Sequence, residues 1–304
     1  LTFSYSESVT ITTVKSKLKQ DVKVAGIYTN IATVLMRQSK FEEALSINFK
    51  SLKIFEKEGD EIKQAIVLGN IGNLYYELEQ NKPAEQFYRK SLALARKTNH
   101  LITQGNDLVN IGGIKFEYAV QNDKLLNANE LDSALSYFFD AEIILTKLNA
   151  TYNLAAVYNN VGRIYTIKKD SKKALAFYEK GLQARIVLED QFGIGLSYLN
   201  LAETERLLGN NNKNIEYLNK ASEIFLSLKN YLNLKQAYGK LAEAYEFKKD
   251  FTTSLKYYQL YANYKDSIYN EENAKQMAEM QTKYDVEKKD LELAKNKAEI
   301  ETQE

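Results

Sequence analysis

Cysteine is absent from the 304 residues, so disulfides, thiolate metal sites and cysteine nucleophiles are excluded. Tryptophan is absent too, and histidine occurs once, at His100. A single imidazole builds neither a Ser-His-Asp arrangement nor a histidine metal cluster. Its context, Thr98-Asn99-His100, reads as a turn rather than as the dimerising helix that carries a phospho-accepting histidine. Proline occurs once and glycine 13 times, which is sparse for a loop-rich or all-β chain and suits a helical one. No run of 18 apolar residues exists to form a transmembrane helix. Neither sign of charge dominates: 41 basic residues face 40 acidic ones, and no cationic excess exists to release counterions from DNA or RNA. Phosphate-cradling glycine motifs are missing, and the carboxylate pairs Glu42-Glu43 and Glu271-Glu272 fall on exposed or linker positions. The sequence therefore implies no catalytic constellation, no metal, no cofactor and no bound nucleic acid.

What is present is a repeat. The stretch Asn70-Ile71-Gly72-Asn73-Leu74-Tyr75-Tyr76 recurs in its first three residues as Asn30-Ile31-Ala32, Asn110-Ile111-Gly112, Asn160-Val161-Gly162 and Asn200-Leu201-Ala202. Lys240-Leu241-Ala242 keeps two of the three. The small residue returns at 32, 72, 112, 162, 202 and 242, spacings of 40, 40, 50, 40 and 40. A fixed period of this size means stacked supersecondary units, which grow by one interface per repeat and have no single core.

Within each unit the apolar residues recur at helical spacing, as Tyr28, Ile31, Ala32 and Leu35 do. A second helix follows, with Ala44 or Ala84 and then Tyr88 and Ser91 in the second unit. The helix pairs are expected over about 22–58, 61–98, 101–148, 151–189, 191–228 and 231–268, with residues 1–21 as a partial repeat. Gly112 to Ala134 spans 22 residues against 12 from Gly72 to Ala84, so about ten residues are inserted around 120–130. Small residues are expected to let paired helices approach, with aromatics at 75, 88, 165 and 178 filling the space around them.

Residues 269–304 leave the period. They contain no Gly or Pro, are dense in Glu, Lys, Ala and Gln, and read as one long helix. Met277, Tyr284, Leu291 and Ala298 recur every seven residues, a pattern that points to a dimeric coiled coil through 270–304, although Glu287 and Glu301 fall at inward positions. A single solvated helix folding back on the last repeat is the alternative. The start, Leu1-Thr2-Phe3-Ser4, has no initiator methionine and no signal sequence, and reads as the edge of a longer protein.

The six helix pairs resemble tetratricopeptide repeats in an extended form near 40 residues. The residues that carry the resemblance are the aromatic or leucine at 28, 68, 108, 158, 198 and 238, the small residue at 32 through 242, Tyr75, Tyr165 and Tyr245, and Ala44, Ala84, Ala134 and Ala174. Asn214 and Ser254 stand where the pattern has Ala, and Lys115 and Glu205 where it has an aromatic. The resemblance implies an all-α fold, a right-handed α-solenoid of about six pairs followed by the long C-terminal helix. Tyr264–Glu272 and Lys275–Tyr284 resemble the segment that joins such repeats to a membrane span in bacterial sensor histidine kinases, and also occur in related proteins with a helix-turn-helix domain. The kinase resemblance implies an extracytoplasmic array with a membrane span adjacent in the full-length protein; a cytoplasmic array is the alternative.

One column is a candidate binding surface. Asn30, Asn70, Asn110, Asn160 and Asn200 share a register on the first helices, which line the inner wall of such an array. Asn is a mediocre helix former, and its amide both donates and accepts, so a column of them can pair with the backbone of an extended peptide. The alternative is that the amides bond between neighbouring helices. One turn on stand Thr33, Asn73, Gly113, Arg163, Glu203 and Glu243, so a ligand of mixed or basic character is expected towards the last repeats. The functional expectation is a non-catalytic protein- or peptide-binding module, the ligand-sensing region of a signal-transduction protein that signals through its C-terminal helix. The alternatives are a scaffold or adaptor, or the regulatory region of a helix-turn-helix transcription factor.

Overall fold

In the computed structural model, residues 5–121, 124–264 and 289 are described, with side chains from residue 21. The expected long C-terminal helix, its heptad and the dimer through 270–304 therefore lie outside the described residues. The fold is all-α, built of helix pairs stacked in the solenoid manner. It divides into two compact units that meet between Glu189 and Asp190.

The first unit contains α1 (Tyr5–Arg37), α2 (Phe41–Glu58), α3 (Glu61–Glu77), α4 (Asn81–Lys97), α5 (Leu101–Ala119), α6 (Ala128–Lys147), α7 (Thr151–Ile167) and α8 (Ser171–Val187). The second contains α9 (Gln191–Leu207), α10 (Asn211–Ser227), α11 (Tyr231–Phe247) and α12, residues 251–264. Most helices run 17 residues and are joined by three-residue turns. The turns are closed at both ends. Asp60, Asp170, Asp190, Asn230 and Asp250 each accept the backbone N–H three residues on, capping the next helix. Ser39, Glu79, Asn99 and Asn149 are among the residues that take the left-handed conformation ending the preceding one. Pro83 falls in the first turn of α4, where its missing N–H breaks no bond.

The small residues seat aromatic rings. A Cβ at Gly72 would stand 2.6 Å from the Tyr88 ring, and one at Gly162 would stand 2.5 Å from that of Tyr178. Gly112 meets Phe138 in the same way, at 3.0 Å. Ala32, Ala202 and Ala242 are buried at the equivalent position.

Three features differ from the sequence reading. Residues 5–21 are no separate element, because α1 runs unbroken to Arg37; neither glycine nor proline stands at 19–21 to stop it. Ile31 is 42% exposed where Ile71, Ile111 and Val161 are fully buried, because no preceding described pair covers it. At the α5–α6 junction the chain forms a two-residue antiparallel ladder, Val120–Gln121 (β1) with Lys124–Leu125 (β2), and Leu126 and Asn127 close it on the Ala119 carbonyl.

Candidate functional site

The first helices of the first unit present one wall. Asn70 and Asn73 stand on α3, Asn110 on α5, and Asn160 and Arg163 on α7. The structure brings two of them together: Asn110 Nδ2 donates to Asn73 Oδ1 at 3.2 Å. Tyr88 Oη donates to the same oxygen at 2.7 Å, so the ring seated on Gly72 also holds the wall amide. One repeat on, Asn153 Nδ2 donates to Asn106 Oδ1 at 2.7 Å, a second amide bridge between first helices. Asn70 and Asn160 are half-buried, Asn30 is exposed, and none of the three makes a side-chain hydrogen bond to a described residue.

Further along the wall, Tyr76 Oη donates to Glu117 Oε1, and Asn81 Nδ2 donates to Glu117 Oε2 at 2.7 Å. Burial, and then the Glu117 carboxylate, push the Tyr76 phenol up to about 12. The exposed Arg163 guanidinium stacks over the Phe116 ring, 4.5 Å from its centroid. This fixes a cation beside the amides with its donors free of the helix surface. Tyr76, Asn81, Phe116 and Glu117 escape the sequence reading; Tyr76, next to the repeat's Tyr75, is the one the period could have flagged.

In the second unit Asn200 is half-buried and Glu203 lies between two cations. Arg206 Nη2 reaches it at 2.5 Å and Lys240 Nζ at 2.9 Å. Burial alone would raise the Glu203 carboxyl, but the Arg206 and Lys240 bonds hold it down at about 2. Glu243 is exposed and lies in the field of Arg206. The acidic stretch at Glu203 and Glu243 is therefore offset by two cations, Arg206 one turn beyond Glu203 and Lys240 at the Asn column's own register in the last repeat. This removes the reason for expecting a basic ligand there.

Two of the four departures from the repeat pattern, Lys115 and Glu205, are charged networks. Lys115 is 14% exposed and meets Glu85 and Glu130, each at 3.2 Å, while Arg89 reaches Glu85 at 2.7 Å. Glu205 is 1% exposed; Lys213 lies 3.3 Å away, and Asn210 Nδ2 donates to its other oxygen at 2.6 Å. On the second helices a further column was missed. Phe87 and Phe177 stack on Tyr75 and Tyr165, Tyr217 on Tyr198, and Tyr257 on Tyr245. Lys90, Lys180 and Lys220 lie over the first three of these second-helix rings.

His100 Nδ1 lies 2.8 Å from Thr103 Oγ1 at the head of α5. Among the described residues no three His, Asp or Glu side chains cluster as metal ligands, and no helix is long and apolar enough to cross a membrane. What the wall offers is amide donors and acceptors, a phenol–carboxylate pair and one stacked guanidinium.

Two segments match family models of the tetratricopeptide repeat, residues 23–97 and 155–185. The chain carries tetratricopeptide repeats in those two segments. The tetratricopeptide fold extends beyond those segments among solved structures. A signal transduction ATPase with numerous domains and a tetratricopeptide repeat sensor, from Pyrococcus horikoshii, superposes with TM-score 0.64 at 22% identity, covering 76% of this chain and 34% of that one. Aspartyl phosphate phosphatase F from Bacillus subtilis gives 0.57 at 16% identity, covering 80% and 60%. The Pseudomonas aeruginosa pilF product gives 0.59 at 15%, covering 78% and 90%. The chain thus spans 60% of the phosphatase's length and about a third of the ATPase's. Comparison with curated protein sequences finds no significant match.

Proposed function

We propose that this tetratricopeptide array is a non-catalytic module that binds an extended peptide or protein segment along its first helices, and that it is the sensing region of a bacterial signal-transduction protein of the sensor histidine kinase type. The observation that carries the reading is the wall of α3, α5 and α7. There Asn70 and Asn160, whose amides bond to no described residue, stand on either side of a fixed Asn73–Asn110 pair, with Arg163 held out over Phe116. An extended backbone offers a donor and an acceptor at each residue, which primary amides at repeat spacing satisfy. Asn200 and Glu243 are the corresponding residues of the second unit. A relative of the same fold uses its repeats as a sensor, which supports that role here.

The wall is tested with peptides selected from a random display library on the intact chain. Asn70→Ala with Asn160→Ala should weaken the selected peptides by about tenfold or more, at one to two hydrogen bonds' worth, with an unchanged melting temperature. Equal affinity in that variant would make the column a structural one. Sensing is tested separately, by joining the array to its native downstream segment and measuring output with and without peptide. Binding without any change of output would favour a scaffold or adaptor.

A further inference from the structure

Asp107 is a buried acid at an apolar register. The equivalent positions are Ile27, Val67, Val157, Ser197 and Ala237, yet here a carboxyl that is 2% exposed lies inside the second and third helix pairs. Its Oδ2 has no hydrogen-bond partner. Its other contact is Ser91 of α4, and both Asp107 Oδ1 and Ser91 Oγ face Gly69 of α3, 3.3 and 3.5 Å from where a Cβ would stand there.

The neighbouring hydrogen bond bears on its protonation state. Ser91 Oγ donates its one proton to the Ala65 carbonyl of α3 at 2.8 Å. With that proton committed, Ser91 can only accept towards Asp107, so a hydrogen bond between the two in this arrangement needs a proton on the carboxyl. With a neutral carboxylic acid the chain of donors runs Asp107 to Ser91 to Ala65 and joins α5, α4 and α3. Loss of the proton to solvent leaves a carboxylate that only accepts. Ser91 must then turn from Ala65 towards Asp107, or the charge stays buried without a donor.

We propose that Asp107 is a proton-operated latch between the second and third helix pairs, closed when neutral and loosened when ionised. The surroundings favour the neutral form. Burial pushes the carboxyl from its ordinary 3.8 up to about 7; Ser91 opposes this only when it turns from Ala65 to donate to the carboxylate. The titratable side chain that faces it from α4 is Tyr88, whose phenol is itself raised by burial and by Asp107. Gly69 and Ala65 face it from α3, and neither α6 nor α7 brings a charged side chain that shifts it. Because the folded value lies above the unfolded one, the stabilisation is whole below the ordinary 3.8 and is lost as pH rises through about 7. Asn110, which holds Asn73, lies one turn along the same helix, so the latch acts where the candidate wall is fixed.

The test needs no ligand. The Asp107 carboxyl carbon is followed by NMR in the intact chain, and denaturant unfolding is measured from about pH 5 to about pH 8.5 for the unsubstituted chain, Asp107→Asn and Asp107→Val. The carboxyl should titrate near neutrality. The unfolding constant of the unsubstituted chain should rise more than about tenfold over that range relative to both variants. A carboxyl that titrates in the ordinary acid range, or unfolding curves that run parallel in all three chains, would overturn the latch. Should neither variant fold, the carboxyl titration decides alone.

Discussion

Asn73 Oδ1 accepts from Asn110 Nδ2 across the boundary between two repeats, so one amide of the candidate wall is also a tie between neighbouring first helices. Asn110→Ala should therefore cost stability, about 0.5–1.5 kcal/mol, where Asn70→Ala should cost almost none. A double-mutant cycle of Asn73 and Asn110 in denaturant unfolding measures the tie. Coupling within error of zero would show that the bond contributes nothing in solution.

Glycines at different registers should respond in opposite directions. Gly72→Ala and Gly162→Ala place a Cβ inside van der Waals reach of a seated tyrosine ring and should destabilise by about 1–3 kcal/mol. Gly113→Ala meets nothing within 4 Å on a helix interior and should stabilise by about 0.5–1 kcal/mol. Thermal unfolding of the three variants side by side checks both signs.

The Glu205 network should be fragile at its exposed member. Lys213→Ala leaves a buried carboxylate held by Asn210 alone and should cost about 1–3 kcal/mol. Replacing the ion pair together, as Glu205→Leu with Lys213→Met, should be neutral or stabilising, since apolar packing needs no desolvation of charge. Equal melting temperatures for the unsubstituted chain and Lys213→Ala would show that Asn210 suffices.

Glu203 should make the second unit acid-sensitive. Its carboxyl is depressed, so its stabilisation is present above the ordinary 4.5 and fades as pH falls through about 2. Lys240→Met should reduce that acid dependence at a cost of about 0.5–1 kcal/mol near neutral pH, the range for a pair this open to solvent. Unfolding midpoints measured against pH for the two chains provide the comparison.

Much of the fold was legible because its strongest constraint is steric. Glycine leaves room for the ring at 72, 112 and 162, alanine holds the same register at 32, 202 and 242, and a residue so confined returns at a fixed spacing that a linear sequence displays. The networks around Lys115 and Glu205 were not legible. Each looks like a lapse from the pattern until Glu85 and Glu130, or Asn210 and Lys213, arrive from other turns of the fold. The cation that offsets Glu203 was hidden in the same way, since Lys240 is 37 residues distant in the chain. The ring column at 87, 177, 217 and 257 was overshadowed by its neighbours Tyr88, Tyr178 and Tyr258, which occupy the adjacent register.

The left-handed turn residues stand at 39, 59, 79 and 99, and again at 149, 169, 189, 209, 229 and 249. A rod and its turn together take twenty residues, and that beat is missed only where the small hairpin intervenes. Such a chain behaves like a ruler with interchangeable segments. Excising or duplicating any forty-residue stretch between like turns preserves the phase of everything downstream, whereas losing a single residue from a rod rotates all that follows by about 100° about that rod's axis.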